Sequence, residues 1–172
     1  MLINEIIDFQ AAVGMVCHEP LVKVFVDLEN ACGGSACVAQ HHQRVKQTIL
    51  DITSQSRIQI TYSVGPSAMS TCPDLLWQWN HARFVPGRGL NGADLALLDA
   101  IQATRFRGGL DRMVLVSGDH IFAEDLARLQ REGIHTTVVS QPMSLSRQLA
   151  LSAQSIQFLP QMNLSSDERQ SA

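Results

Sequence analysis

The chain has 172 residues, 45% of them hydrophobic, and a formal net charge of −3. That length supports one hydrophobic core and makes two independent ones difficult. The acidic balance excludes polyanion binding through the overall field, because neutralising phosphates takes a clustered excess of Lys and Arg, so any nucleic-acid contact must be local.

No apolar run approaches the roughly eighteen residues of a membrane span, and Glu5 and Asp8 stand where a secretion signal would be basic. The expectation is a cytoplasmic protein with no membrane partner. Four cysteines, Cys17, Cys32, Cys37 and Cys72, are too few for a disulfide framework and read as free thiols. Cys32 and Cys37, with His41 and His42 behind them, leave a zinc site conceivable, but no second ligand pair at matching spacing supports it.

In chain order, residues 1–20 are apolar and read as a helical extension that could cover a sheet edge or form a homodimer contact. A first buried strand runs over Val22 to Val26. Helical spacing follows over Val38 to Ile52, with Val38, Val45, Ile49 and Ile52 on one face. A second strand covers Ile58 to Tyr62. The stretch from Gly65 to Leu90, with Pro66, Pro73 and Pro86, reads as a long connection holding a short helix and a short strand. A helix from Asp94 to Thr104, preceded by Asn91 as an N-cap signal, leads to a third strand at Met113 to Val116. A helix over Ile121 to Arg131 ends at Gly133, and a strand at Thr136 to Val139 comes next. The pattern closes with a helix over Ser144 to Leu151 and a strand over Ser155 to Leu159. The tail from 161 to 172 is polar, aperiodic and expected to be disordered.

The strands are largely β-branched and alternate with helices, which defines an α/β fold: a three-layer α/β/α sandwich around a central, mainly parallel sheet. Ligands of such Rossmann-like sheets sit beyond the carboxyl ends of the strands. Strand one ends in VFVDLEN and places Asp27 there, with Asn30 three residues on. Strand three ends in VLVSGDH and places Asp119 there. Asp94 opens the helix that leads to strand three and is expected on the same rim.

Each aspartate has an ordinary alternative. Asp27 could start a turn, Asp94 could complete a capping box begun by Asn91, and Asp119 could cap the next helix. Their joint placement favours convergence. Carboxylates held together repel unless protons, arginines or a metal offset them. Mg²⁺ or Mn²⁺ suits such a set, since hard cations take oxygen ligands, keep several waters and pair with phosphate.

The segments KVFVDLEN, GADLALLDA and VLVSGDHIF, followed by a helix and GIHTTVVS, resemble in order and position the signature of NYN domains, a branch of the PIN-like ribonucleases. The resemblance runs from about Val22 to Leu159 and takes in PMSLSRQLALSAQSIQFL, similar to the family's closing helix and strand. It implies a PIN-like fold over residues 21–160 and a metal-dependent endoribonuclease acting on RNA. Asp27, Asp94 and Asp119 match the family's metal-binding and catalytic acids, and Asn30 its supporting polar residue. Asp99, Glu124 and Asp125 are supporting candidates, although Asp99 follows Asp94 by five residues and points away from it on a regular helix. The family commonly carries a second acid two places after the aspartate of SGD, and here that place holds Ile121. A non-catalytic RNA-binding or adaptor module is therefore the alternative.

His120 could assist proton transfer or contact phosphate. Arg83, Arg88 and Ser117 are candidates for binding the strand. Trp77, Trp79 and Phe84 near the two arginines would suit single-stranded bases, but suit packing better. A phosphotransfer domain ranks third, because the chain lacks a DxD pair after strand one and a suitably placed lysine.

Overall fold

The computed structural model describes residues 21–34, 39–53, 56–72, 74–107 and 111–161. The expectations for residues 1–20 and for the tail beyond 161 lie outside them. Six strands build the sheet: β1 (Leu21–Asp27), β2 (Arg57–Val64), β3 (Arg83–Pro86), β4 (Arg112–Val116), β5 (His135–Ser140) and β6 (Ser155–Phe158). Every neighbouring pair is parallel, in the order β3-β2-β1-β4-β5-β6. The short strand foreseen in the long connection is β3. It forms an edge, where Pro86 leaves no inner ladder bond unmade.

Seven α-helices connect the strands: α1 (Leu28–Ala31), α2 (Ala39–Thr53), α3 (Pro66–Thr71), α4 (Leu75–Gln78), α5 (Gly92–Ala103), α6 (Ala123–Arg131) and α7 (Arg147–Leu151). A 3₁₀ turn over His120–Phe122 precedes α6, so the helix expected from Ile121 begins as a tighter coil. The last helix starts at Arg147 rather than Ser144, because Ser146 caps it by accepting a 3.2 Å bond from the Leu149 amide. Gly133, at φ +78°, ends α6 in the left-handed conformation that glycine adopts without strain.

Burial on both faces explains the β-branched strands. Val22, Val24 and Val26 of β1 face a core with Val45 and Ile49 of α2, Tyr62, Leu75 and Trp79. Phe25 faces the other core, with Leu97 and Ile101 of α5, Met113, Leu115, Leu126 and Leu129. Helices thus cover both faces, and the α/β sandwich expected from the sequence is present. Each fully buried Leu, Val or Ile stabilises it by roughly 1.5–3 kcal/mol.

The chain starts at the centre, runs outward through β2 and β3, then returns to build β4, β5 and β6 on the other side. β1 and β4 are therefore neighbours whose connections leave in opposite directions, and a crevice opens beyond their carboxyl ends.

Candidate active site

Asp27 is the last residue of β1, and its side chain is 3% exposed. Its Oδ1 accepts from the Asn30 amide at 3.2 Å, which caps α1, and its Oδ2 accepts from Ser117 Oγ at 3.0 Å. From across the crevice, the carboxyl group of Asp94 lies within electrostatic reach of that of Asp27. Burial, then the charge of Asp94, push Asp27 up to about 7, against the partial relief given by Asn30 and Ser117. Asp94 is also held above the usual carboxylate range, by burial first and then by the charges of Asp119 and Glu29. Two carboxyl groups this close disfavour one another's charge and titrate as a pair.

Two glycines make this crevice. A Cβ on Gly118 would fall 2.1 Å from the Ser144 carbonyl oxygen, so only glycine lets the SGD turn pass the loop after β5. A Cβ on Gly87 would fall 2.4 Å from the Ala93 nitrogen, so the turn before α5 presses onto the helix start and sets where Asp94 projects. Asn30 fastens β1 to β4 by accepting from the Gly118 amide at 2.8 Å. Ser117, fully buried, donates to Asp27 and accepts from the Asp119 amide at 3.2 Å. These contacts fix the Asp27 carboxyl and the SGD backbone relative to one another.

Asp119 lies close enough to raise Asp94 electrostatically, but its Oδ1 is engaged by the Ile121 amide at 3.0 Å and by His120 Nδ1 at 2.9 Å. The capping role foreseen for Asp119 is thus present, and Asp27, foreseen as starting a turn, caps α1. Asn91 is different: it sits at φ 54° and makes no side-chain cap bond, so the capping-box account of Asp94 does not hold.

The remaining candidates separate. Asp99 is exposed on an α5 that is regular from Gly92, one and a half turns from Asp94. Glu124 is exposed as well. Asp125 is buried and bound to Gln102 at 3.0 Å and to Arg128 at 2.9 Å, a structural arrangement that faces away from the crevice. His120 is largely exposed at the rim. Arg88 is exposed in the loop beyond β3, on the crevice side, whereas Arg83 opens β3 at its opposite end.

Trp79 belongs to the core and donates from Nε1 to His42 Nδ1 at 2.8 Å, and Phe84 stacks on Tyr62 at 5.2 Å. Both therefore pack. Trp77 is 78% exposed.

Glu29, which stands where a DxD pair would have its second acid, is not among the site candidates the sequence offers. Its carboxylate lies against Gly65, 3.0 Å from where a Cβ would be, and adds a fourth acid to the field around Asp94. Its place two residues after Asp27, in the first turn of α1, was the available signal.

The expectation of free thiols is corrected at Cys72, which is disulfide-bonded. Cys32 is free and buried, and burial pushes its thiol up to about 11, which disfavours the thiolate a zinc ion needs. Cys17 and Cys37 lie outside the described residues. Among the described residues no helix is long and apolar enough to cross a membrane.

With this geometry described, comparison with known proteins is direct. The NYN domain family model matches residues 21–160, so the chain belongs to the NYN domain family, which is a PIN-like, nuclease-type domain. A crystal structure of a protein of unknown function from Vibrio parahaemolyticus RIMD 2210633 superposes with a TM-score of 0.57. It is 19% identical in sequence, and the match covers 84% of this chain and 95% of that one. That likeness concerns the fold. No curated protein matches the sequence.

Proposed function

We propose that the protein is a divalent-metal-dependent endoribonuclease hydrolysing RNA phosphodiester bonds at the crevice between β1 and β4. The observation that carries this reading is the placing of buried Asp27 and half-buried Asp94 within electrostatic reach of one another, neither of them ion-paired to a basic side chain among the described residues. An electrostatic arrangement that unfavourable is sustained where a cation offsets the charge.

Among the described residues no three acidic, imidazole or thiol groups form a ready-made cage. The donor set fits Mg²⁺ or Mn²⁺ nonetheless, because such ions are held by one or two carboxylates and complete their shells with water and substrate phosphate. Asp27 and Asp94 would hold the ion directly, and Asp119 would contribute once its carboxyl turns from its cap. The ion supplies activation of a water and relief of charge on the leaving oxygen.

The chain's own residues do the rest. Ser117 and the Asn30 amide orient the Asp27 carboxyl, leaving few rotamers to freeze on binding. Asn30 holds the Gly118 amide in place. His120, exposed beside Asp119, is suited to deliver a proton to the departing strand, and Arg88 to hold a flanking phosphate. Burial of Asp27 keeps water from competing at that carboxyl. We place the activity in the cytoplasm, acting on single-stranded or structured RNA.

The experiment is incubation of purified protein with end-labelled single- and double-stranded RNA and DNA in Mn²⁺, in Mg²⁺ and in chelator. Metal-dependent RNA cleavage is expected, reduced more than about a hundredfold in Asp27→Asn and in Asp94→Asn. Cleavage unchanged in both variants would refute the assignment.

A second reading has its own support. Ile121, where a second acid is common in the family, is half-buried against the core, and the three acids form no closed cage. An RNA-binding module without turnover would bind RNA and cleave nothing in either metal.

A further inference from the structure

Beside the acids, at the same edge of the sheet, lies a second cleft of about 440 Å³, lined by Cys32, Gly33, His41, Arg44, Gln141 and Pro160 among others. It is continuous in sequence with the acid site: Asp27 starts α1, and Cys32 follows that helix, roughly 7 Å along the axis. Its chemistry is opposite in sign. No acidic residue lines it, and Arg44 has no carboxylate partner among the described residues.

The guanidinium of Arg44 is pinned in place without being neutralised. Its Nη1 donates to the Pro160 carbonyl at 3.2 Å and its Nη2 to the Ala31 carbonyl at 3.3 Å, both uncharged acceptors. Its Nε is out of contact with water and has no acceptor. His41 Nδ1, one helical turn earlier on α2 and on the same cleft wall, is likewise enclosed and without a partner. A buried polar atom without a partner costs about 1–3 kcal/mol, so two of them mark this wall as one not built for stability alone. Gln141 adds an amide, fixed by its 3.0 Å bond to the Ala31 carbonyl.

We propose that this cleft binds a phosphodiester of the RNA strand next to the scissile one, with the Arg44 guanidinium as its cation and His41 beside it. The proposal rests on the nuclease reading for what happens at the neighbouring acids, but not for binding itself. A guanidinium held at two corners by uncharged carbonyls keeps its full charge and meets a phosphate oxygen with little further ordering. It also offsets the repulsion a strand meets on approaching four acids, since a single local cation outweighs the mean field of a chain whose net charge is only −3. The volume accepts one nucleotide unit, within the range of ligand clefts.

The test measures binding of a fluorescein-labelled single-stranded RNA 12-mer to the full chain by anisotropy in chelator, where cleavage cannot interfere. Wild type is compared with Arg44→Gln, which retains a donor for the backbone carbonyls, and with His41→Ala. Weakening of roughly tenfold in each is expected, with the salt slope of log K shallower by about 0.7 in Arg44→Gln. Should Arg44→Gln fail to fold, as judged by circular dichroism, His41→Ala carries the result, since its imidazole makes no bond the fold depends on. Binding equal to wild type in His41→Ala and in folded Arg44→Gln overturns the proposal. So does displacement of the 12-mer by uridine monophosphate at a lower concentration than unlabelled 12-mer, which would assign the cleft to a free nucleotide. Absence of metal-dependent cleavage with Arg44-dependent binding intact would refute the nuclease reading while leaving this site standing.

Discussion

At the amino end of β1, Lys23 contacts Asp111 at 3.3 Å, and Arg107 reaches the same carboxylate at 2.8 Å. At the carboxyl end of the same strand, Asp27 makes no ion pair among the described residues, and the charge that bears on it is that of Asp94. Both aspartates are almost fully enclosed, at 2% and 3% exposure. For Asp111, burial pushes upward but the hydrogen bonds from Arg107 and Lys23 outweigh it, and its carboxyl lies below the usual range. For Asp27 nothing outweighs burial, and it lies near 7. One end of the strand is a finished structural contact; the other is left incomplete, which is how a site for an added cation differs from a stabilising ion pair.

Breaking the finished end has the largest predicted effect. Asp111→Ala leaves Lys23 and Arg107 without their partner and is expected to cost about 3 kcal/mol in urea unfolding. Asp27→Asn, at the unfinished end, is expected to cost nothing. A loss under about 1 kcal/mol in the first variant, or a comparable loss in the second, would remove the distinction.

pH separates the two ends next. Asp27 has its folded value raised from 3.8 to about 7, so the folded state holds the extra proton and stability falls as pH rises between those values, levelling off above the upper one. Asp111 has its folded value lowered, so its contribution is present above the ordinary carboxylate value and is lost as pH falls below it. In chelator at pH 8, Asp27→Asn is therefore expected to melt above wild type by roughly 5 °C, the two converging near pH 4. Coincident melting curves at both pH values would show that Asp27 is not strained when ionised.

Metal sharpens the same contrast by a smaller amount. Mn²⁺ at about a hundred times its Kd should stabilise wild type by roughly 2.7 kcal/mol. The gain should shrink below pH 7 as protons compete for Asp27, and vanish in Asp27→Asn. Calorimetry in two buffers of different ionisation heat would report the released proton. Cleavage should rise with pH across the same interval, and a cleavage rate that falls there would contradict a role for ionised Asp27.

How much of this was legible in the sequence follows from what each feature depends on. The buried strands and amphipathic helices are local patterns, and the strand ends at Asp27 and Asp119 emerged with the strands. The placement of Asp94 depends on Gly87 pressing against Ala93, a contact between turns that periodicity does not carry. Asn91 was read as a cap from residue type alone, whereas its backbone is left-handed. Asp125 and Asp27 looked equally acidic; Gln102 and Arg128, remote or on the next turn, make the former structural. The placing of Arg44 is not legible in the sequence, because its guanidinium is held by the carbonyls of Ala31 and Pro160, thirteen and 116 residues away.

The smallest predicted effect lies at position 121. Ile121 is half-buried beside Phe122 and follows Asp119 by two residues, its amide capped by that aspartate's Oδ1. Ile121→Asp gives up part of an isoleucine's burial, about 1 kcal/mol, and adds a carboxylate near Asp119. If that side chain faces the cation, Coulomb attraction of about 1 kcal/mol at a partly solvated rim should tighten Mn²⁺ about fivefold, read from the metal-dependent rise in melting temperature. Unchanged affinity with the expected small loss of stability would mean that position 121 faces the core. Ile121 would then not be a lost ligand, and the ion would take its protein oxygens from Asp27, Asp94 and Asp119 alone.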